Sequence, residues 1–270
     1  MNNGDTLEVL SESAIRPRDS RLAMPRLDQA LVERGFCESR EKARRAVMAG
    51  QVKVNRQPAR KPSDPVSSSD ELVLEMPEKY VGRGGGKLEH ALDHFQLSVQ
   101  GSAVIDLGAS TGGFTDCLLQ RGAARVYAVD VGHGQLAWKL RQDPRVVVMD
   151  KTNARDLTPA RFTKDFTPVD LVTIDCSFIS LKKILPAAAG LLRERGRMVV
   201  LVKPQFEAGK AEADRGAGVI TDPLIHERVI RELKEFVGAT PELRWRGVTE
   251  SPLQGSAGNK EFLALIERTG

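Results

Sequence analysis

The feature that most constrains the fold of this chain is an alternation of strand-like and helix-like segments that begins near Lys87. Short runs rich in β-branched residues are separated by segments with helical spacing, such as residues 114–121 and 181–193. The strand-like runs are residues 103–107, 125–131, 145–150, 169–176 and 196–203. This rhythm predicts an α/β, Rossmann-like domain whose doubly wound, mostly parallel sheet carries helices on both faces.

Two later strand-like runs, near residues 243–248 and 262–267, flank a last helix at residues 225–236. We expect them to supply an antiparallel edge to the sheet. The chain has 270 residues, which leaves room for a small second domain ahead of the sheet.

The segment ahead of the sheet carries the positive charge of the chain. Residues 24–62 hold ten Lys and Arg against four Asp and Glu, a local charge of +6, whereas the rest holds 30 basic and 32 acidic residues. Two helices, the second capped by Ser39, and two short strands are predicted here, which makes a small α+β domain. Clustered Arg and Lys favour nucleic acid, whose phosphates they neutralise. A helix face that only solubilises the domain is the alternative.

Composition excludes several classes of protein. Cys37, Cys117 and Cys176 are far apart, so neither a disulfide framework nor a paired-cysteine metal site is expected. Apolar stretches such as residues 198–202 are too short to cross a bilayer, and residues 1–21 lack the apolar core of a secretion signal. We therefore expect a cytoplasmic protein that binds no membrane and no metal, with residues 1–23 as a disordered tail and Met24 as an alternative start.

The strongest local signal is a glycine-rich turn at residues 106–114, Asp-Leu-Gly-Ala-Ser-Thr-Gly-Gly-Phe, between a strand end and a helix. Such a turn lets the backbone approach a nucleotide at the carboxyl end of a parallel strand. The spacing is not the G-x-G-x-x-G of dinucleotide-binding folds, and no Lys-Ser/Thr follows as a phosphate-binding loop requires. A nucleoside without phosphates is therefore favoured. A turn kept only for close packing is the alternative.

Two acidic residues, Asp130 and Asp150, lie at the ends of the two predicted strands that follow this turn. Asp130 is placed to accept hydrogen bonds from ribose hydroxyls, and Asp150 is placed to meet an adenine amino group. S-adenosyl-L-methionine is the common cofactor of this type, and we predict it as the ligand. The predicted cofactor-binding residues are Asp106, Gly108, Ser110, Gly112, Gly113, Phe114, Asp130 and Asp150.

A second set of polar residues is expected at the same rim of the sheet. Asp175 ends the fourth strand and Lys203 ends the fifth, and a lysine at the end of an apolar strand is costly to desolvate unless it is paired. Lys87 follows three glycines, and Glu261 stands where a late strand begins. Taken by themselves, Lys87 and Glu261 are more typical of solvated surface.

These motifs resemble those of known families. Arg-Leu-Asp at residues 26–28, Ser-Arg-Glu-Lys-Ala at 39–43 and Gly-Gln-Val-Lys-Val-Asn at 50–55 resemble the S4-type RNA-binding domain. The set Lys87, Asp175, Lys203 and Glu261 looks like the Lys-Asp-Lys-Glu tetrad of FtsJ-type RNA 2′-O-methyltransferases. Together with Asp-Cys-Ser-Phe-Ile-Ser, Val-Lys-Pro-Gln-Phe-Glu and Gly-Asn-Lys-Glu-Phe, they resemble the TlyA family, once named haemolysin-like.

The resemblance implies three segments: an S4-type domain at residues 24–80, a Gly-rich linker at 81–86 and a class I methyltransferase domain at 87–270. It implies S-adenosylmethionine-dependent 2′-O-methylation of cytidine in ribosomal RNA, by a protein expected to be a monomer that binds ribosomal RNA or ribosomal subunits. The RNA-binding residues that it implies are Arg26, Arg40, Lys42, Arg44, Arg45, Lys53 and Arg56.

The resemblance also suggests a role for each member of the tetrad. Lys203 is expected to receive or steer the proton of the 2′-hydroxyl, and Asp175 to orient Lys203. Lys87 is expected to fix the ribose or its phosphate, with Glu261 as its support. The glycines and charges of residues 207–221 favour a mobile lid over the substrate, with a plain linker as the alternative. The competing hypothesis is a protein without catalysis, either a ribosome-binding or assembly factor or a haemolysin-like protein.

Overall fold

The computed structural model of the protein describes residues 24–75, 79–255 and 257–270. The chain divides into two compact units, with the division between Pro77 and Glu78. The predicted disordered tail, residues 1–23, lies outside the described residues.

The N-terminal unit is a small α+β domain. Its elements are α1 (Leu27–Glu33), α2 (Arg40–Met48), β1 (Val52–Val54), β2 (Gln57–Pro58) and β3 (Leu72–Leu74). The strands form an antiparallel sheet in the order β2-β1-β3. As predicted, Ser39 caps α2, because its hydroxyl accepts a hydrogen bond from the N–H of Lys42. Leu31 of α1 and Val47 of α2 pack with Val52 of β1 in the core.

The C-terminal unit is built on one seven-stranded sheet. Its strands are β4 (Ala103–Leu107), β5 (Arg125–Val129), β6 (Val146–Met149), β7 (Val169–Ile174), β8 (Leu192–Val202), β9 (Leu243–Glu250) and β10 (Phe262–Arg268). Their order across the sheet is β6-β5-β4-β7-β8-β10-β9. Strands β4 to β8 pair in parallel, whereas β10 is antiparallel to both β8 and β9. The predicted Rossmann-like sheet with an antiparallel edge is confirmed.

Helices cover both faces of this sheet. They are α3 (Gly84–His94), α4 (Gly113–Gln120), α5 (Trp138–Arg141), α6 (Leu185–Ala189), α7 (Pro204–Glu207), α8 (Lys210–Arg215) and α9 (Pro223–Gly238). Leu88 of α3 shares a core with Val104, and Leu233 of α9 shares the opposite core with Ile105. Successive residues of β4 thus enter different cores because their side chains point to opposite faces. Among the described helices, none is both long enough and apolar enough to cross a membrane.

The segment at residues 181–193 differs from its prediction as one helix. The structure has a 3-10 turn at Leu181–Lys183, then α6, and then the start of β8 at Leu192. Pro186 lies in the first turn of α6, where its missing N–H is tolerated, but a proline there breaks a helix that would run on from Leu181. The apolar run therefore contains a short helix followed by a strand.

The glycines predicted as a linker also adopt a different structure. Gly84, Gly85 and Gly86 form the first turn of α3, the helix that carries Lys87. The ring of Tyr80 packs so closely that a Cβ on Gly85 would lie 2.2 Å from it, so only glycine admits this contact. Lys87 is therefore held by a packed helix rather than by a flexible segment.

Candidate active site

Two adjoining cavities open at the rim where the parallel strands of the C-terminal unit end. The smaller, of about 300 Å³, borders the end of β5 and the loop after β7. The larger, of about 420 Å³, lies between the glycine turn and the start of α3. Gly108, Ser110 and Asp175 line both cavities. These three residues form the wall at which ligands in the two cavities would meet.

The glycine turn is pressed against the end of β7. Gly108 has φ +83°, and a Cβ there would lie 2.5 Å from the carbonyl oxygen of Asp175. A side chain at this position would therefore displace the strand end that carries Asp175. Of the other residues predicted on the turn, Gly113 and Phe114 line the larger cavity, whereas Gly112 does not.

Asp130 fastens the glycine turn to the end of β5. Its Oδ2 accepts a hydrogen bond from the N–H of Ser110 at 2.8 Å, and its Oδ1 accepts one from the N–H of Gly132 at 2.7 Å. Each carboxylate oxygen has two lone pairs, so both oxygens keep acceptor capacity for a ligand. Asp130 lines the smaller cavity together with Gln135 and Asn153. These side chains offer hydrogen-bonding groups to a ligand in that cavity.

The larger cavity brings all four members of the predicted tetrad together. Lys87 Nζ donates to Glu261 Oε2 at 2.5 Å, and only 9% and 3% of these side chains are exposed. Neither residue is the solvated surface that its sequence alone would suggest. Lys203 Nζ lies 2.6 Å from Asp175 Oδ1 and donates to Ser177 Oγ at 2.9 Å. Two ion pairs thus line one cavity.

Asp175 has a buried oxygen with unused acceptor capacity. Lys203 Nζ is the ion-pair partner of Oδ1, and among the described residues this oxygen accepts no hydrogen bond. The contact with Lys203 offsets the cost of burying this charged oxygen, and the oxygen keeps a lone pair for a ligand. Because Asp175 stands on the wall common to both cavities, its oxygen is available to a hydroxyl group of a ligand.

Two predicted cofactor acids, like Gly112, are not brought into either cavity. Asp106 is fully buried and accepts hydrogen bonds from the hydroxyls of Thr115 at 2.7 Å and Thr173 at 2.9 Å. Burial raises its pKa to about 6. The carboxylate of Asp150 accepts a hydrogen bond from Arg141 at 2.7 Å, which lowers its pKa. At the end of β6, the cavity wall is formed by residues 152–154 instead.

Sequence reasoning missed other residues that line the cavities. The Phe178 side chain is 91% exposed and borders the smaller cavity, and Arg83 lines the larger one. Ser177 holds Lys203 through its hydroxyl. Ser177 and Phe178 could have been found from their position in the Asp-Cys-Ser-Phe motif. Arg83 could have been found as a cation next to the three glycines.

In the N-terminal unit, four of the predicted RNA-binding residues line one shallow groove. They are Arg26, Arg40, Arg44 and Arg45. Buried Asp28 accepts hydrogen bonds from Arg26 at 3.1 Å and from Arg40 at 3.2 Å, so one carboxylate orients two of the arginines. The other predicted residues lie outside the groove and pair with acids; they are Lys42, Lys53 and Arg56.

The fold and the tetrad define a methyltransferase of the Rossmann-like class. The FtsJ-like methyltransferase family matches this chain at residues 80–268. The S4 domain family matches at residues 25–72.

Relatives match both units in one chain. "Putative rRNA methyltransferase YqxC" of Bacillus subtilis is 50% identical over 91% of this chain and 86% of its own length. "16S/23S rRNA (cytidine-2'-O)-methyltransferase TlyA" of Mycobacterium tuberculosis is 46% identical over 89% of each chain. A solved structure named "Putative hemolysin", from Streptococcus thermophilus, is 47% identical, covers 92% of this chain and 90% of its own, and has a TM-score of 0.69. The chain belongs to the TlyA family of FtsJ-like methyltransferases.

Proposed function

We propose that this protein transfers a methyl group from S-adenosylmethionine to the ribose 2′-oxygen of a cytidine in ribosomal RNA. The observation that carries the proposal is the meeting of Lys87, Asp175, Lys203 and Glu261 at a cavity that shares a wall with a second one. A relative named for this reaction matches over 89% of the chain. Because the proposed substrate is ribosomal RNA, the proposed place of action is the cytoplasm.

The smaller cavity fits the nucleoside part of the cofactor. Asp130, Gln135 and Asn153 offer polar groups for the ribose and the base edge, and Val131 and Ile179 offer apolar contact for the base. When bound, S-adenosylmethionine supplies a methyl group that its sulfonium sulfur has already activated. The remaining acceptor capacity of Asp175 Oδ1 and the absence of a side chain at Gly108 leave the wall between the cavities open to such a ligand.

The larger cavity supplies groups for the ribose of the RNA. Methylation of a 2′-hydroxyl requires that the hydroxyl be held in line and that its proton be removed. Asp175 Oδ1 can accept a hydrogen bond from that hydroxyl. Lys203, held by Asp175 and Ser177, receives the proton as a neutral amine or, as an ammonium ion, steers it to the carboxylate of Asp175. Lys87, supported by Glu261, is the cation that fixes the ribose or its phosphate.

RNA recognition is divided between the units in this proposal. The arginine groove of the N-terminal unit binds the phosphate backbone, which is how side chains grip structured RNA. A ribose within a helix must leave its stack to enter a cavity, so the target nucleotide is extruded. Phe178 beside the smaller cavity presents an exposed ring on which a base can stack.

Transfer of a labelled methyl group tests the proposal. The protein is incubated with labelled S-adenosylmethionine and with ribosomal subunits or naked transcripts, and the RNA is then digested to nucleosides. We expect the label in 2′-O-methylcytidine. Label on a base would reject the 2′-oxygen as the acceptor. RNA without label in every arm would reject catalysis and leave the ribosome-binding factor, which binding to subunits would then support.

A further inference from the structure

Two loops that follow neighbouring strands run side by side above the rim of the C-terminal sheet. One follows β7 and the other follows β8 and includes α7. At their start, Asp175 and Lys203 form the ion pair of the proposed active site. Three residues further along each loop, the rings of Phe178 and Phe206 lie with centroids 5.1 Å apart. The contact between the loops therefore extends beyond the residues that the mechanism uses.

Glu207, at the end of α7, joins the two loops by hydrogen bonds. Its Oε2 accepts a hydrogen bond from Ser180 Oγ at 2.7 Å, and its Oε1 accepts one from the N–H of Leu181 at 2.6 Å. Burial raises the pKa of Glu207. Among the neighbouring charges, Lys182 lowers this pKa and Glu232 raises it. Desolvating a carboxylate is unfavourable, and here two hydrogen bonds to one loop offset that penalty.

The loop after β7 contains a residue, Phe178, whose strained backbone conformation depends on contacts with the surrounding structure. Phe178 has φ 63°, in the left-handed region that is unfavourable for a residue with a side chain, and its ring is largely exposed. Such a conformation persists only where the surrounding structure determines it. The fixed points are Ser177, bound by Lys203, and Ser180, bound by Glu207.

The same loop forms part of the wall of the proposed cofactor cavity. Cys176, Ser177, Phe178 and Ile179 all line that cavity. A shift of the loop would therefore change the cofactor site and the support of Lys203 together. The last residues of two sequence motifs, Ser180 of Asp-Cys-Ser-Phe-Ile-Ser and Glu207 of Val-Lys-Pro-Gln-Phe-Glu, meet in one hydrogen bond.

We propose that Glu207 is a positioning residue for methyl transfer: by binding Ser180 and Leu181 it fixes the loop after β7, and through that loop it sets the cofactor cavity wall and the hydroxyl that holds Lys203. This inference rests on the proposed function of the same site.

Glu207→Gln tests the inference, with Glu235→Gln on the exposed face of α9 as the matched control. We expect Glu207→Gln to weaken binding of S-adenosylhomocysteine about tenfold, the scale of one charge-assisted hydrogen bond, and to slow single-turnover methylation by at least as much. RNA affinity and melting temperature should stay close to those of Glu235→Gln. A wild-type cofactor affinity and rate in Glu207→Gln would overturn the proposal.

Ser180→Ala provides a second test that also serves if Glu207→Gln does not fold. It removes the hydroxyl that donates to Glu207 and, like Glu207→Gln, should reduce both the methylation rate and the cofactor affinity. In the double variant the two effects should not add, because both changes release the same loop. Additive effects would overturn the proposal. If the wild-type protein methylates no RNA, the proposed function is rejected. If the wild-type protein methylates RNA and the variants do so equally well, only this inference is rejected.

Discussion

Lys203 forms an ion pair with Asp175, whose Oδ1 lies 2.6 Å from Nζ, and donates a hydrogen bond to Ser177 Oγ at 2.9 Å; only 11% of its side chain is exposed. If it receives or steers the proton of the ribose hydroxyl, Lys203→Ala should lower the single-turnover rate about 10²-fold, the usual scale for a positioned acid–base group. RNA affinity should change little, because the arginine groove belongs to the other unit. Rapid-quench methylation assays and filter binding measure the two quantities.

Lys203→Arg distinguishes proton transfer from simple charge. Arginine does not release its proton near neutral pH and presents a planar fork, so it should not restore the rate. Lys164→Ala, at an exposed lysine, is the control and should behave as wild type. Substantial activity in Lys203→Arg would show that the residue acts only as a fixed cation.

Asp106 gives the C-terminal unit a pH-dependent stability. Its pKa is about 6 in the folded protein against an ordinary value of 3.8, because burial disfavours the charged form. The group therefore stabilises the fold most below about pH 4, and this contribution is lost as the pH rises through 6, by about 3 kcal/mol. Relative to Asp106→Asn, the wild type should gain unfolding free energy between pH 7.5 and pH 5. Urea denaturation of both proteins measures this, and a pH-independent difference would contradict it.

The residues that the sequence located best are those whose position follows from a strand end. Asp175 and Lys203 follow β7 and β8, and parallel neighbours end at one rim, so their meeting follows from topology. The roles of Asp106 and Asp150 were harder to predict, because they depend on partners brought by other segments. Thr173, which binds Asp106, lies on a neighbouring strand, and Arg141, which binds Asp150, lies on α5.

The glycine turn after β4 packs against the end of β7. Gly108→Ala places a Cβ 2.5 Å from the carbonyl oxygen of Asp175, at φ +83°. Gly101→Ala is a matched control, since Gly101 has φ +72° but no atom within 4 Å of its would-be Cβ. Both variants should lose about 1–2 kcal/mol of stability to the left-handed conformation. Only Gly108→Ala should also lose at least tenfold in affinity for S-adenosylhomocysteine, measured by calorimetry.

Equal losses of cofactor affinity in the two glycine variants would show that strain in the backbone, not the close approach to β7, governs the site. The expected contrast follows from geometry, because Gly101 precedes β4 at the end opposite the cavities.

The strands were predicted more accurately than the helices, for a physical reason. Buried parallel strands are apolar on both faces, so runs such as residues 103–107 stand out in the sequence. The run at residues 181–193 is apolar as well, but a helix and a strand share it, and periodicity does not separate short apolar elements. The helical start at Gly84–Gly86 contradicts glycine's low helix propensity and depends on the Tyr80 ring that packs against it.

The positive charge of the protein and its proposed catalytic residues lie in different units. Residues 24–62 carry a local charge of +6, and the tetrad lies entirely in the unit that follows Pro77. Of the groove arginines, Arg26 and Arg40 are oriented by Asp28, and Arg45 pairs with Glu41 one helical turn away. Within the described part of the chain, Arg44 makes no ion pair, so its charge is the most available to RNA.

Replacing Arg44 and Arg45 by Ala should therefore weaken RNA binding and flatten its salt dependence, while binding of S-adenosylhomocysteine stays unchanged. Each lost phosphate contact reduces the slope of log affinity against log salt by about 0.7–0.9, so the pair should reduce it by about 1.4–1.8. Arg231→Ala with Lys234→Ala, at exposed positions of α9, removes the same charge from the other unit and is the control. A slope reduced equally in both double variants would assign the effect to net charge, and an unchanged slope in the first would show that α2 does not face the RNA.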